Sequence, residues 1–301
     1  MPSAASTSIS PKPDPNQQRL KNCRATCLVE VSAERLPLLQ TSSCWPIPRL
    51  LDFSREEQST PKMSPSDARI VEYGPSDPVV EVLRGAVSAR LLHHPDRTFA
   101  FEVTLDLVRG AEFFGQKPPV HFHVQEEYIE ATQGRVGLEV DGREIVLTPG
   151  PDGRFDIAPY LHHRSYPIPL DRQEDGNTVV KFLLSGGSKT DDPAASNLHP
   201  IFFENWYKYQ DDIVVNGAPI DLLQIFCMFD AGGTYLSLPW WVPFGRTVSI
   251  TLGVVLGRWI GSGLLGYQPF YRKWTSDWEL ACRKMEMSIF TRRFVDRSKT
   301  D

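Results

Sequence analysis

The stretch Gly115–Gly134, GQKPPVHFHVQEEYIEATQG, constrains this chain most. His121 and His123 stand one residue apart, and Glu127 follows four residues later. Side chains at i, i+2 and i+4 of a β-strand share one face, and positions 121, 123 and 127 are all odd. Two imidazoles and a carboxylate are therefore expected to converge on one point. That donor set suits a divalent metal ion such as iron, manganese, nickel or zinc. Gln125 shares the ligand parity and is expected to line the pocket, whereas Glu126 is expected on a solvated face. A lone histidine pair is often plain surface; the carboxylate at matching spacing favours a metal. A fourth ligand is expected where the run from Phe155 leads into a second pair, His162 and His163.

Gly115, His121, His123, Glu127 and Gly134, at these spacings, resemble the first motif of the cupin superfamily. The resemblance implies a jelly-roll β-barrel and a second motif that brings in another histidine. Gly153 and Pro159 fit the start of that second motif. Beyond them its usual glycine, histidine and asparagine positions fall on Leu161, Arg164 and Ile168. A turn shorter by one residue brings His163 into the ligand position. His163 is thus the better candidate beside its neighbour His162, and which of the two faces the metal stays open. The implied metal set is His121, His123, Glu127 and His163, although some cupin-like domains bind no metal.

A chain of 301 residues with 41% hydrophobic and 23% charged residues has the composition of a globular protein. Its net charge of -5 and the absence of a long basic run argue against nucleic acid as partner. Five scattered cysteines, Cys23, Cys27, Cys44, Cys227 and Cys282, fit a reducing compartment rather than a disulfide framework. Cys23, Cys27 and Cys44 lack the spacing of a metal half-site. With no apolar segment of signal-peptide type near the N-terminus, a cytoplasmic place is expected. Residues 1–65, rich in Ser, Pro, Gln and Thr, are expected to be disordered, with Met63 as an alternative start.

Residues 66–190 are expected to form the barrel. Thr98–Val108 alternates apolar and polar residues as a half-buried strand does. Asp141-Gly142 between the runs 135–140 and 143–147 is a two-residue hairpin signal. Asn177–Leu184 reads as a further strand, and many short strands with close turns fit a sandwich or small barrel. Residues 191–301 are expected to be mostly helical after the polar linker 186–200. Pro219–Phe229 reads as a buried helix. Ser276–Glu279 reads as a capping box, followed by the apolar stripe Trp278, Ala281, Cys282, Met285 and Ile289.

Between these helices, Thr247–Gly266 is almost uncharged, with Arg258 inside it. Gly253, Gly257 and Gly261 recur every four residues, a pattern that permits close helix approach, and aromatic residues flank the segment on both sides. Its length suffices to cross a bilayer, but Arg258 makes that costly. Contact of residues 239–271 with the barrel, a membrane surface or a second copy in a homo-oligomer is expected instead.

The runs 203–209, 229–241 and 266–274 resemble the tails of cupin-domain oxidoreductases from fungal clusters for salicylaldehyde-type polyketides. That resemblance covers about residues 66–295. It implies a metal-dependent oxidoreductase, with iron first and zinc or manganese as alternatives, acting on a small polyketide-derived substrate. Tyr128 and Tyr160 are candidates for the pocket wall or for proton handling. Two other readings compete. One is a non-redox cyclase, isomerase or dehydratase whose metal polarises a carbonyl; the other is a non-catalytic protein that holds an intermediate.

Overall fold

The alternation in Thr98–Val108 has one apolar face to bury, and it forms the strand Ala100–Asp106 with Phe101, Val103 and Leu105 inside. The computed structural model describes residues 71–72, 79–173, 176–187 and 197–297. The expectations for residues 1–65, for Met63, for Cys23, Cys27 and Cys44, and for most of the 186–200 linker lie outside those residues. The strands are β1 (Val71–Glu72), β2 (Val80–Val82), β3 (Val87–His93), β4 (Ala100–Asp106), β5 (His121–His123) and β6 (Glu127–Gln133). They continue as β7 (Val136–Val140), β8 (Arg143–Leu147), β9 (Arg154–Ile157), β10 (His163–Pro167), β11 (Val179–Gly186) and β12 (Thr234–Leu236).

These strands make two antiparallel sheets. One runs β1-β3-β4-β11-β6-β9, with β2 also on β3; the other runs β12-β5-β10-β7-β8. Their facing sides bury Phe101, Val103, Ile129, Leu138, Leu147, Phe182 and Leu184 in one core. Each such side chain contributes about 1.5–3 kcal/mol by leaving water. The Asp141-Gly142 hairpin forms as read. Both residues take positive φ, 45° and 78°, as a type I′ turn requires, and Val140 pairs with Arg143.

One expectation fails in an instructive way. His121, His123 and Glu127 do not share a strand. The chain leaves β5 after His123 and enters β6, in the other sheet, at Glu127. Val124 still continues the β5–β12 pairing, its N–H donating to Gly233 O. Two contacts then turn the chain out of that ladder: the Gln125 side chain accepts from Asn197 N–H, and Glu126 pairs with Arg97. Gln125 therefore ties down a neighbouring segment and does not line the pocket.

The helices are α1 (Pro200–Val214), α2 (Leu222–Ala231), α3 (Gly245–Leu265) and α4 (Trp278–Glu286). α1 packs Phe202, Phe203, Tyr209 and Ile213 into the core between the sheets. α2 begins at Leu222, later than the sequence suggests, because the Asp221 carboxylate caps Leu223 and Gln224 N–H. The capping box at Ser276 does not form. Asp277 caps α4 instead, while Ser276 donates twice to the buried Glu204 carboxylate, which needs those donors more. Ala281, Cys282 and Met285 are buried as the stripe predicts, but the helix ends at Glu286 and leaves Ile289 exposed.

α3 is α-helical to Leu252 and π-helical from Gly253 to Leu265. Its glycine stripe faces inward. A Cβ on Gly257 would sit 2.4 Å from the Phe226 carbonyl oxygen, and one on Gly261 would sit 2.4 Å from Cys227 Sγ. The repeat thus lets α3 lie against the backbone of α2. Arg258 donates Nε–H and Nη2–H to the two oxygens of buried Asp230, at 2.7 and 2.9 Å.

Candidate metal centre

Alternation in β5 turns His121 and His123 into the barrel and Phe122 outward, against the rings of Tyr235 and His162. β10 lies beside β5 with His163 opposite His121, and β12 lies on the other side with Thr234 opposite His123. From the facing sheet, β6 points Glu127 inward on the same face as Ile129 and Ala131. One donor atom from each of His121, His123, Glu127 and His163 then lies within 4.8 Å of every other. The three imidazole centroids form a near-equilateral triangle with sides of 5.0, 4.6 and 5.1 Å.

The outward nitrogens fix which face of each ring looks inward. His121 Nδ1 lies 3.2 Å from Pro119 O, and His163 Nδ1 lies 2.8 Å from Leu161 O. A carbonyl oxygen only accepts, so both Nδ1 atoms carry the proton. His123 Nδ1 meets Thr234 Oγ1 at 2.9 Å, and that hydroxyl donates onward to Gly232 O. All three rings therefore turn Nε2 toward the cluster, as metal-ligating histidines do when their other nitrogen is held. His123 Nε2 is buried with no hydrogen-bond partner. It lies 3.3 Å from Glu127 Oε2, within ion-pair distance.

Charge points the same way. Burial, with His163 and His123 nearby, pushes His121 down to about 3. Burial also lowers His123, against the pull of Glu127. Burial alone would raise Glu127, yet His123 and His163 hold its carboxyl well below the usual carboxylate range. His163 is raised: burial, the largest single effect, lowers it, but the hydrogen bond to Glu127 at 2.8 Å, the Glu127 charge and the Leu161 carbonyl together outweigh burial. The cluster is thus a buried carboxylate with two neutral imidazoles and one imidazole that needs a cation between it and Glu127. A proton on His163 supplies that cation, and a divalent ion fits the same place with more donors. The residues present fit a metal.

His163, and not His162, joins the cluster. His162 turns away, with Nδ1 2.6 Å from Ser237 Oγ and Nε2 accepting from Arg246 Nε–H at 3.2 Å. Neither candidate tyrosine reaches the metal donors. Tyr128 points to the opposite face of β6, where its hydroxyl bonds Glu130 and Arg97 stacks 4.4 Å above its ring. Tyr160, at φ 66°, is exposed on the outer side near Phe122. Two residues escaped the sequence reading. Thr234 holds His123 from 111 positions away, and no spacing rule reaches that far. Tyr207 of α1 stacks on Phe101 inside the barrel. Burial raises its phenol first, and the charge of Glu127 raises it further.

No family model matches the chain. It is 42% identical over 241 residues to the probable oxidoreductase yanE of Aspergillus niger, covering 78% of this chain and 90% of that one. It is 40% identical over 228 residues to the oxidoreductase AOL_s00215g277 of Arthrobotrys oligospora, covering 74% of this chain and 87% of that one. The epoxidase atD of Aspergillus terreus is 39% identical over 182 residues, 60% of this chain and 54% of its own. A solved cupin-like protein of Thermotoga maritima overlays 33% of this chain and 67% of its own, at 16% identity and a TM-score of 0.24. So partial an overlay carries no argument.

Two facing antiparallel sheets that turn three histidines and a glutamate inward make this protein a cupin. The chain belongs to the fungal cupin oxidoreductases of secondary-metabolite clusters, the family of yanE and AOL_s00215g277, and it is an oxidoreductase that acts on a small molecule.

Proposed function

We propose that His121, His123, His163 and Glu127 hold one divalent ion, iron first, and that the protein oxidises a polyketide-derived alcohol, aldehyde or phenol. The observation that carries this reading is the common orientation of the rings, with three Nδ1 atoms held outward and three Nε2 atoms aimed at one carboxylate. A bound iron ion would be held by these four residues and would supply Lewis-acid and redox chemistry toward a substrate oxygen, with O₂ as oxidant. The chain's own residues do the rest. His123, Glu127 and His163 are buried and His121 is the most exposed of the four ligands, so a small molecule enters on its side. The packed apolar side chains Phe101, Ile129 and Leu184 keep water out of the barrel interior. Tyr207 offers a hydroxyl within electrostatic reach of Glu127. The name of the epoxidase relative adds oxygen insertion to the reactions this site would support.

A polyketide chain is lipophilic. We place the enzyme in the cytoplasm, in contact with a membrane surface through residues 239–271.

Elemental analysis of the purified protein, beside metabolite profiles of a deletion strain, tests the reading. One iron per chain is expected, with a strain that accumulates a compound differing from the product by two hydrogens or one oxygen. Stoichiometric zinc with no redox change in the accumulated compound would favour the cyclase, isomerase or dehydratase reading. Absence of any stoichiometric metal would leave the binding-protein reading.

A further inference from the structure

α3 presents two faces of opposite character. The glycine face is locked against α2. The outer face shows Trp259, Leu264 and Leu265 to solvent, and the preceding loop adds Trp240, 95% exposed, Trp241, and Phe244, 83% exposed. A patch of this kind marks an interaction surface. Its charge says with what. From residue 231 to residue 276 the chain has no Asp or Glu, and it has four cations, Arg246, Arg258, Arg272 and Lys273, in a protein of net charge -5. Arg258 is taken up by Asp230 and Lys273 by Asp212. Arg246 stands exposed in the first turn of α3. Arg293 is exposed at its other end, where it donates to Ser262 O. Neither has an acidic partner among the described residues.

We propose that the outer face of α3 and the loop 239–244 dock on an anionic lipid bilayer, with Trp240, Trp241 and Phe244 entering the interface and α3 lying along it. The proposal rests on the membrane-surface reading above and adds the residues, the lipid charge and the orientation. Tryptophans at the rim of an apolar face, with arginines at both ends, are what such an interface selects. Crossing the bilayer is ruled against, because α3 would have to leave α2 and strip Arg258 from the buried Asp230 carboxylate. A second copy of the chain is disfavoured as occupant. A two-fold contact sets this face against itself, bringing like charges together with no acid to meet them. Docking would also bring the barrel's metal-donor strands close to the lipid. Trp240 lies four residues beyond Leu236 of β12, which pairs with His121, so a lipophilic substrate would have a short path from the bilayer.

The test is sedimentation of the full chain with vesicles of phosphatidylcholine alone and of phosphatidylcholine with phosphatidylserine. Binding should rise about tenfold or more with the anionic lipid and fall again in high salt. Replacing Trp240, Trp241 and Phe244 by Ala together should lower it by about tenfold or more at an unchanged unfolding temperature. If that variant does not fold, R246E serves in its place and should weaken binding to the anionic vesicles only. Binding to neither vesicle would overturn both the membrane reading and this proposal. Binding that ignores phosphatidylserine and survives these substitutions would keep the membrane contact and overturn this face. A dimer in solution that the triple variant dissolves would assign the face to a second copy and overturn the proposal.

Discussion

His163 Nε2 and Glu127 Oε2 lie 2.8 Å apart although their residues stand 36 positions apart on different sheets. The contact joins the two sides of the barrel through a charge that neither group carries comfortably when buried. Whatever cation sits there, a proton or a metal, ties the sheets together. Metal loading is therefore linked both to pH and to stability.

The first prediction follows from the signs of the shifts. In the metal-free protein His121 and His123 are lowered, so each contributes stability that is present above about pH 6.5 and lost as pH falls toward its folded value. Glu127, also lowered, loses its contribution further into acid. His163 is raised and behaves oppositely: its contribution is present below about pH 6.5 and lost as pH rises through its folded value. A bound ion displaces that proton. Calorimetry should show the metal raising the unfolding temperature more at about pH 8 than at about pH 6, and an indicator should record proton release on metal uptake. A larger metal effect on the acid side would contradict the assignment.

Thr234→Val keeps the shape of a buried side chain and removes the oxygen that holds His123 Nδ1. The ring then has nothing fixing its tautomer. Metal affinity, read by competition with a chelator, should weaken about 10–100-fold while the fold survives. Unchanged affinity would mean that Thr234 does not orient the ligand.

Gly257→Ala and Gly115→Ala form a pair. At Gly257 the new methyl would meet the Phe226 carbonyl at 2.4 Å; at Gly115 it meets nothing within 4 Å. The gain of about 1 kcal/mol for Ala over Gly in a helix is too small to offset a backbone clash. Denaturant unfolding should show Gly257→Ala losing about 2–4 kcal/mol and Gly115→Ala changing by at most about 0.5 kcal/mol. Equal effects would mean that α3 does not depend on close approach to α2.

The site was legible where it depends on local chemistry. Asp141-Gly142 gave its hairpin because only certain residues accept two successive positive φ angles. His121, His123 and Glu127 were found as a set, although parity along one strand was the wrong reason: the convergence comes from two sheets facing each other. Long-range partners were not legible. The choice between His162 and His163 depends on the left-handed turn at Tyr160, whose N–H is held by His123 O at 2.8 Å. The inward direction of the glycine stripe depends on α2, and the cap of α4 was decided by Glu204, buried 72 positions away from Ser276.

The most direct test of the metal site is the metal content of three proteins purified side by side: wild type, H163A and H162A. His163 turns Nε2 onto Glu127, whereas His162 turns away to Ser237 and Arg246. Wild type and H162A should each hold one ion per chain, and H163A should hold little or none at an equal folded fraction. Full metal in H163A, or its loss in H162A alone, would contradict the account.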